Sequence, residues 1–599
     1  MKRYYLSLAL LLGLIAFSQV HSSAAERIRF QIRIDGALFQ NSNRPVSGRL
    51  LVFMTNRTTP LETIEPDFLN PRSVWISGIE INNLTPSQPI DFDPDTLAFS
   101  APFSTAPAGD YQLMALLDTD HSYTYNGAGP GDLYSAVITE RKLNPSSSGT
   151  IKLSLTKQVP ERKLSDTDSI KLVSFESPSL TKFWGRPINM RAGVVLPPSY
   201  STSKTQRYPT VYVVHGYGGN HEVAWRRGPD QIQKMSAGKT PEMIYVYLDA
   251  SFSLGHHVFA DSVNNGPWGQ ALTAEFIPYL EKQFRMDAVA RGRLLTGHSS
   301  GGWSTLWLQV NYPAVFGGTW STSPDPVDFH NFTGPDLTRY PPQNFYRGPE
   351  GTLYNLVRFH GREIMTMEHY ARLERVQGYY GGQMASFEAV FSPRRPDGQP
   401  MPLFDRDTGR IDPFVQKAWE RYDISRLLRT NWPRLGPKLQ GKLHIIVGTQ
   451  DTFHLEAGVY LLRQMLKGLG AVGETTKTAG SEKSNLAAGG YIEFIEGRDH
   501  FDLYNGGLVE RIANEMFEVA RPRARPARGS GRQHKAWGGA QRNPRLVVQR
   551  KCQPAERATV VTVIFGLSPA PRAAILRSAV PGVPLRSTPG FMLSPATAG

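Results

Sequence analysis

The sequence predicts an α/β protein: an all-β, sandwich-like unit followed by a larger domain whose mostly parallel sheet is covered by helices. Three observations carry this expectation. Residues 27–159 alternate apolar and polar side chains in short runs with no helical period. From about 160 to 520, buried apolar runs alternate with amphipathic segments of four-residue spacing. At Gly297-His298-Ser299-Ser300-Gly301 one of those runs breaks into a glycine-flanked serine and passes at once into an apolar helical segment.

The elements follow in chain order. Met1 to Ala25 begins with Lys2 and Arg3, continues as an apolar stretch from Leu6 to Phe17, and ends in Ser22-Ser23-Ala24-Ala25. This is the pattern of a signal peptide, so a secreted or periplasmic protein is expected; the apolar stretch is too short to span a bilayer comfortably. Residues 26–160 form the β unit, with runs at Arg27 to Ile34, Arg49 to Met54, Val74 to Ile81, Tyr111 to Leu117 and Thr150 to Leu155, separated by Pro, Gly, Asn and Asp. About seven short strands with such turn signals predict a β-sandwich. The acidic run Asp91-Phe92-Asp93-Pro94-Asp95 lacks the spacing of a calcium loop and reads as a solvated turn.

The second domain is expected over 165–520. Its strands fall at Ile170 to Phe175, Asn189 to Leu196, Thr210 to Val214, Met243 to Leu248, Arg293 to Thr296, Gly318 to Ser321, Leu443 to Val447 and Tyr491 to Ile495. Leu272, Phe276, Leu280 and Phe284 mark one helix face, and Leu508, Ile512 and Met516 mark that of a last helix ending near Ala520. An insertion over about 324–440 separates the sixth and seventh strands and is long enough to be a lid or substrate-binding element. Residues 521–599 are a basic, low-complexity tail rich in Arg, Pro, Ala and Gly, whose composition predicts disorder. The change is abrupt enough to suit a stretch translated out of frame.

Charge and cysteine narrow the function classes. The net charge is +14, but the tail alone holds fourteen basic residues against the single acid Glu556; the remaining 520 residues carry 52 basic and 51 acidic side chains. The body is electrically balanced, so basicity gives no reason to expect a nucleic-acid partner. Cys552 is the only cysteine, which excludes an intrachain disulfide and a cysteine nucleophile in the body.

The glycine-flanked serine is where chemistry is expected. A strand turning sharply into a helix is how an α/β-hydrolase presents its nucleophile, here Ser299. A serine hydroxyl needs a base within hydrogen-bond reach, a carboxylate to hold that base, and donors for the oxyanion. His500, in Gly497-Arg498-Asp499-His500 ahead of the last helix, stands where the base belongs, with His454 as competitor. Asp451, in the loop after the seventh strand, leads for the acid, with Glu456 and Asp325 as alternatives. The oxyanion donors are expected to be the N–H of Ser300 and that of Tyr217, or else Gly216, in His215-Gly216-Tyr217-Gly218-Gly219. His360, Glu363 and His369 lack zincin spacing and have Arg362 and Arg372 among them, so no metal site is expected there. Phosphate-loop and dinucleotide fingerprints are absent, and no cofactor is implied.

Taken in order, His215-Gly216-Tyr217-Gly218-Gly219, Asp261-Ser262-Val263-Asn264-Asn265-Gly266-Pro267-Trp268, the Ser299 turn and Gly497-Arg498-Asp499-His500 resemble the esterase family that contains esterase D, enterochelin esterases, feruloyl esterases and the mycolyltransferases. The resemblance covers about residues 165–520. It implies an α/β-hydrolase domain acting on ester bonds, with Ser299, His500 and an acid after the seventh strand as the triad. A β-rich unit ahead of the catalytic domain also resembles the enterochelin esterase arrangement. The long insertion departs from the pattern and leaves specificity open. The expected activity is a secreted serine esterase acting through an acyl-enzyme on a small-molecule or polysaccharide-linked ester. The rival readings are an acyltransferase of the same fold and a catalytically inactive carbohydrate- or surface-binding protein.

Overall fold

A computed structural model describes residues 27–39, 45–85, 88–487 and 489–522. The expected leader, residues 1–25, and the tail from 523 onward lie outside the described residues. Among the described residues no helix is long and apolar enough to cross a membrane.

Nine strands come first: β1 (Arg29–Ile34), β2 (Val46–Thr55), β3 (Val74–Leu84), β4 (Ile90–Phe92), β5 (Ala98–Phe99), β6 (Gly109–Asp118), β7 (Leu133–Ser135), β8 (Ile138–Leu143) and β9 (Thr150–Gln158). They join in one sheet of order β4-β1-β9-β7-β6-β2-β3-β5, with β8 paired to β6. This differs from the expected sandwich of two separate sheets, because β7 bonds to both β6 and β9 and closes the gap between the halves. Phe30, Leu50, Val52, Leu113, Leu133 and Leu153, from strands across that sheet, share one apolar core, so the sheet curls around it. Asp93 pairs with Arg27 and Arg29 at 2.8 and 3.3 Å, so these two arginines engage the acidic run 91–95.

The other face of this sheet is covered too. Alternate residues of β2 divide between two cores: Leu50, Val52 and Met54 face inward, while Leu51 and Phe53 join Ile76, Met114 and residues of the 324–440 insertion. Double burial explains why Arg49 to Met54 reads as a nearly continuous apolar run rather than an alternating one. A short helix, α1 (Tyr123–Asn126), follows β6, with Asp118 accepting the N–H groups of Ser122 and Tyr123 at 3.1 and 3.0 Å.

The second sheet has ten strands: β10 (Ile170–Glu176), β11 (Asn189–Val195), β12 (Thr210–Val214), β13 (Ile244–Leu248), β14 (Arg293–His298), β15 (Gly318–Thr322), β16 (Leu443–Gly448), β17 (Val472–Lys477), β18 (Ser481–Leu486) and β19 (Tyr491–Ile495). Their order is β10-β11-β13-β12-β14-β15-β16-β19-β18-β17. The six strands from β13 to β19 pair in parallel. Both edges are antiparallel, so the sheet as a whole is mixed. Strands β12, β13, β15 and β16 are buried throughout, as parallel strands under helices must be. The edge strands β17 and β18 were not expected from the sequence, because Gly473 to Lys477 is exposed and Ser481 to Asn485 is polar.

The helices include α2 (Val223–Ser236), α3 (Ser300–Asn311), α4 (Met367–Gln377), α5 (Gln383–Phe391), α6 (Glu456–Gly468) and α7 (Leu508–Ala520). The helix expected over 271–284 runs from Trp268 to Gln283 with a π-turn at Leu272–Phe276. In the insertion, α4 lies against the outer face of the first sheet, where Arg49 donates to Val376 O at 2.9 Å and to Arg375 O at 3.2 Å.

Candidate active site

Ser299 sits between β14 and α3 with φ 60° and ψ −126°. A side-chain-bearing residue pays strain to hold a positive φ, and the surroundings enforce it. Ser299 N–H donates to Thr322 O at 3.0 Å, and its carbonyl accepts from Trp303 N and Asp325 N. The flanking glycines are required by close approach: a Cβ on Gly301 would lie 2.1 Å from Val214 O, and one on Gly297 would lie 2.3 Å from Gly301 O. The strand and helix could not pass this closely with larger residues.

His500 and Asp451 meet as a buried pair. His500 Nδ1 lies 2.8 Å from Asp451 Oδ2, and both side chains are fully enclosed. Burial pushes the Asp451 carboxyl up, but His500 and the Phe453 N–H, at 3.0 Å, together hold it below the usual carboxylate range. An ionised Asp451 accepts from Nδ1, which leaves Nε2 as the ring's lone-pair nitrogen. Nε2 is buried and has no hydrogen-bond partner among the described residues. Phe453 stands edge-on to the ring at 4.8 Å, and the His298 ring lies 4.3 Å from it. Burial and then the neighbouring His500 hold His298 well below the ordinary histidine range, so it stays neutral.

The other candidates fall elsewhere. His454 Nε2 faces Glu363 Oε2 at 3.3 Å, and Glu456 is engaged by Arg358 at 2.5 Å; neither contacts His500. With Glu363 on His454, the imagined grouping of His360, Glu363 and His369 is not assembled. Asp325 lies beside the nucleophile: its Oδ1 is 3.5 Å from Ser299 Oγ, and its Oδ2 accepts from Ser300 Oγ at 2.5 Å and Gln383 Nε2 at 3.2 Å. The Ser299 hydroxyl therefore turns toward Asp325 and makes no direct hydrogen bond to His500 among the described residues. Rotation about its Cα–Cβ bond exchanges one direction for the other, and such bonds often form only with substrate in place.

The loop after β12 runs alongside the serine. A Cβ on Gly216 would sit 3.4 Å from Ser299 Cβ. Ala250 N–H donates to His215 Nε2 at 2.8 Å, so the His215 proton is on Nδ1, which donates to Gly216 O at 2.8 Å. Ser300 N–H begins α3, where no preceding turn can accept it. The Asp261–Trp268 motif, by contrast, is structural: Asp261 accepts the Gly269 and Gln270 N–H groups, and Asn264 and Ser262 donate to Ser392 O and Ala389 O of the insertion.

Burial pushes Asp325 and Asp423 up to about 6, and Glu374 and Glu456 up to about 7. A carboxyl raised in the folded state favours folding while protonated and loses that contribution as pH rises through its folded value. Asp451, held low, does the reverse and weakens the fold only in acid. The melting temperature, measured by calorimetry, is therefore expected to peak near pH 4, about the unfolded carboxylate values, and to fall between about pH 4 and 7 as these groups ionise. A flat profile over that window would contradict these burials.

Residues 187–335 match the family described as "Putative esterase". Among curated proteins, an endo-1,4-beta-xylanase/feruloyl esterase of Xylanibacter ruminicola is 29% identical over 166 residues, covering 26% of this chain and 22% of the relative. The chain thus spans about a fifth of that relative's length. Among solved structures, a ferulic acid esterase shares 13% identity with a TM-score of 0.37, over 58% of this chain and 98% of that one. An S-formylglutathione hydrolase from Agrobacterium tumefaciens shares 14% identity with a TM-score of 0.33, over 59% and 94%. The matched segment contains the loop after β12, the Asp261–Trp268 motif and the Ser299 turn.

Proposed function

We propose that the protein is a secreted serine-dependent carboxylic ester hydrolase. Ser299 Oγ attacks the ester carbonyl while His500 Nε2 takes its proton; Asp451 keeps the imidazole oriented and stabilises its charged form. The N–H groups of Ser300 and Tyr217 receive the oxyanion. The alkoxide leaves with the proton from His500, and water, activated by the same imidazole, releases the acyl group from Ser299. The observation that carries this reading is the buried Asp451–His500 pair with an unsatisfied Nε2, in one cluster with a serine held at positive φ. A buried ring nitrogen left without a partner is costly unless it serves chemistry. The esterase match supports the reaction class, and the leader-like Met1–Ala25 supports export.

The test is direct. The wild-type protein should react with a fluorophosphonate probe and hydrolyse an activated acetate ester, and feruloylated polysaccharide is the first natural substrate to assay. A soluble, folded protein inert to both the probe and a panel of short-chain, acyl-sugar and feruloyl esters would refute the proposal.

A further inference from the structure

We infer that the N-terminal sheet unit is a working part of the ester site, in which Tyr125 and the carbonyl of Thr124 position the loop that supplies the second oxyanion donor. This rests on the serine esterase reading. In this role the sheet unit is a scaffold that completes the catalytic geometry.

Contacts across the boundary are made at the oxyanion loop itself. The hydroxyl of Tyr125, on α1, donates to Gly219 O at 2.9 Å. In the opposite direction the hydroxyl of Tyr217 lies 2.6 Å from Thr124 O and 2.9 Å from Gly381 O of the insertion, so its one proton serves one carbonyl at a time. The two tyrosine rings meet edge to face with centroids 5.1 Å apart. The loop 216–219 is thus tied at a side chain and, two residues on, at a backbone carbonyl, both to the segment that follows β6. The intervening turn, closed by Gly219 N–H on Gly216 O at 3.2 Å, has little freedom to rotate the peptide carrying the Tyr217 N–H.

A second contact reaches the imidazole side. Phe68, from the loop between β2 and β3, packs on Phe453 at 5.9 Å and on Tyr370 at 5.7 Å, and Phe453 is the ring that stands edge-on to His500. That loop is held by Asp67, which takes Arg57 at 2.6 Å and accepts the Leu69 and Asn70 N–H groups. The first sheet also shares one continuous apolar core with the insertion, which an independently moving module would not do.

The experiment uses the full chain with Tyr125→Phe and Tyr217→Phe, which keep the rings and remove only the hydroxyls. Removing a whole oxyanion donor costs about 10²–10³ in kcat, so loosening one is expected to lower kcat on p-nitrophenyl acetate about tenfold, with KM held within about twofold. Affinity for a trifluoromethyl ketone, whose adduct carries the oxyanion, should fall by the same factor as kcat/KM. A purely structural hydrogen bond would lower the melting temperature and leave both ratios unchanged. In the wild-type protein, ketone binding should slow amide exchange at residues 123–126 together with 215–219, a readout that needs no variant. Kinetics and ketone affinity within twofold of wild type in both variants, or exchange at 123–126 insensitive to the ketone, would overturn the inference. A wild-type protein unreactive to the fluorophosphonate would instead overturn the esterase reading beneath it.

Discussion

Ser299→Ala is expected to abolish fluorophosphonate labelling and to lower kcat on an activated ester by about 10⁴–10⁶-fold, leaving only what oxyanion donors and binding provide. The substitution removes a single oxygen. Alanine bears the same strain at φ 60° as serine, and the backbone bonds to Thr322, Trp303 and Asp325 do not involve the side chain. Folding should therefore survive, with a melting temperature close to wild type. Mass spectrometry of the probe adduct locates the reactive group independently of turnover. Labelling that persists in the folded variant would place the nucleophile elsewhere; among the described residues Ser323 is the other serine at positive φ, but no helix follows it and it lacks flanking glycines.

The second large effect is at the acid. Asp451→Asn is expected to lower kcat by about 10⁴-fold, because an amide N–H facing Nδ1 forces the imidazole into the tautomer whose Nε2 cannot accept the serine proton. The geometry otherwise persists, since the Asn oxygen can still accept from the Phe453 N–H. Glu456→Gln is the informative companion. Its carboxyl is spent on Arg358 and does not contact His500, so kcat should stay within a few-fold of wild type. Steady-state kinetics on both purified variants decides the matter: a loss at Glu456 equal to that at Asp451 would reassign the acid.

The structure brings together three residues that are far apart in sequence. Ser299 was legible because an elbow has a local signature: an apolar strand, two small residues where backbones must cross, then an apolar helix. His500 and Asp451 were legible by position after successive strands, since each parallel strand delivers its following loop to the same edge of the sheet. Asp325 was legible only as a carboxylate after the sixth strand. Its place beside Ser299 and Ser300 depends on how the chain leaves β15, and no local pattern encodes that. Gln383, Phe453 and Phe68 gave no signal, because each matters through a partner on another element.

The sequence by itself determined where eight of the ten strands of the second sheet run, where the glycine-flanked serine turn falls, and that His500 and Asp451 stand in loops that follow two of those strands, since these follow from short-range periodicity and from the direction of parallel strands. Tertiary structure alone decided that nine N-terminal strands form one curled sheet, that its outer face merges with the insertion, and that Tyr125 and Tyr217 clasp each other across the boundary. Hydrophobic alternation tells a strand which of its faces is buried but carries no information about which distant surface buries it. Contacts between residues 94 positions apart, such as Tyr125 to Gly219, are set by packing that minimises exposed apolar area over the whole chain.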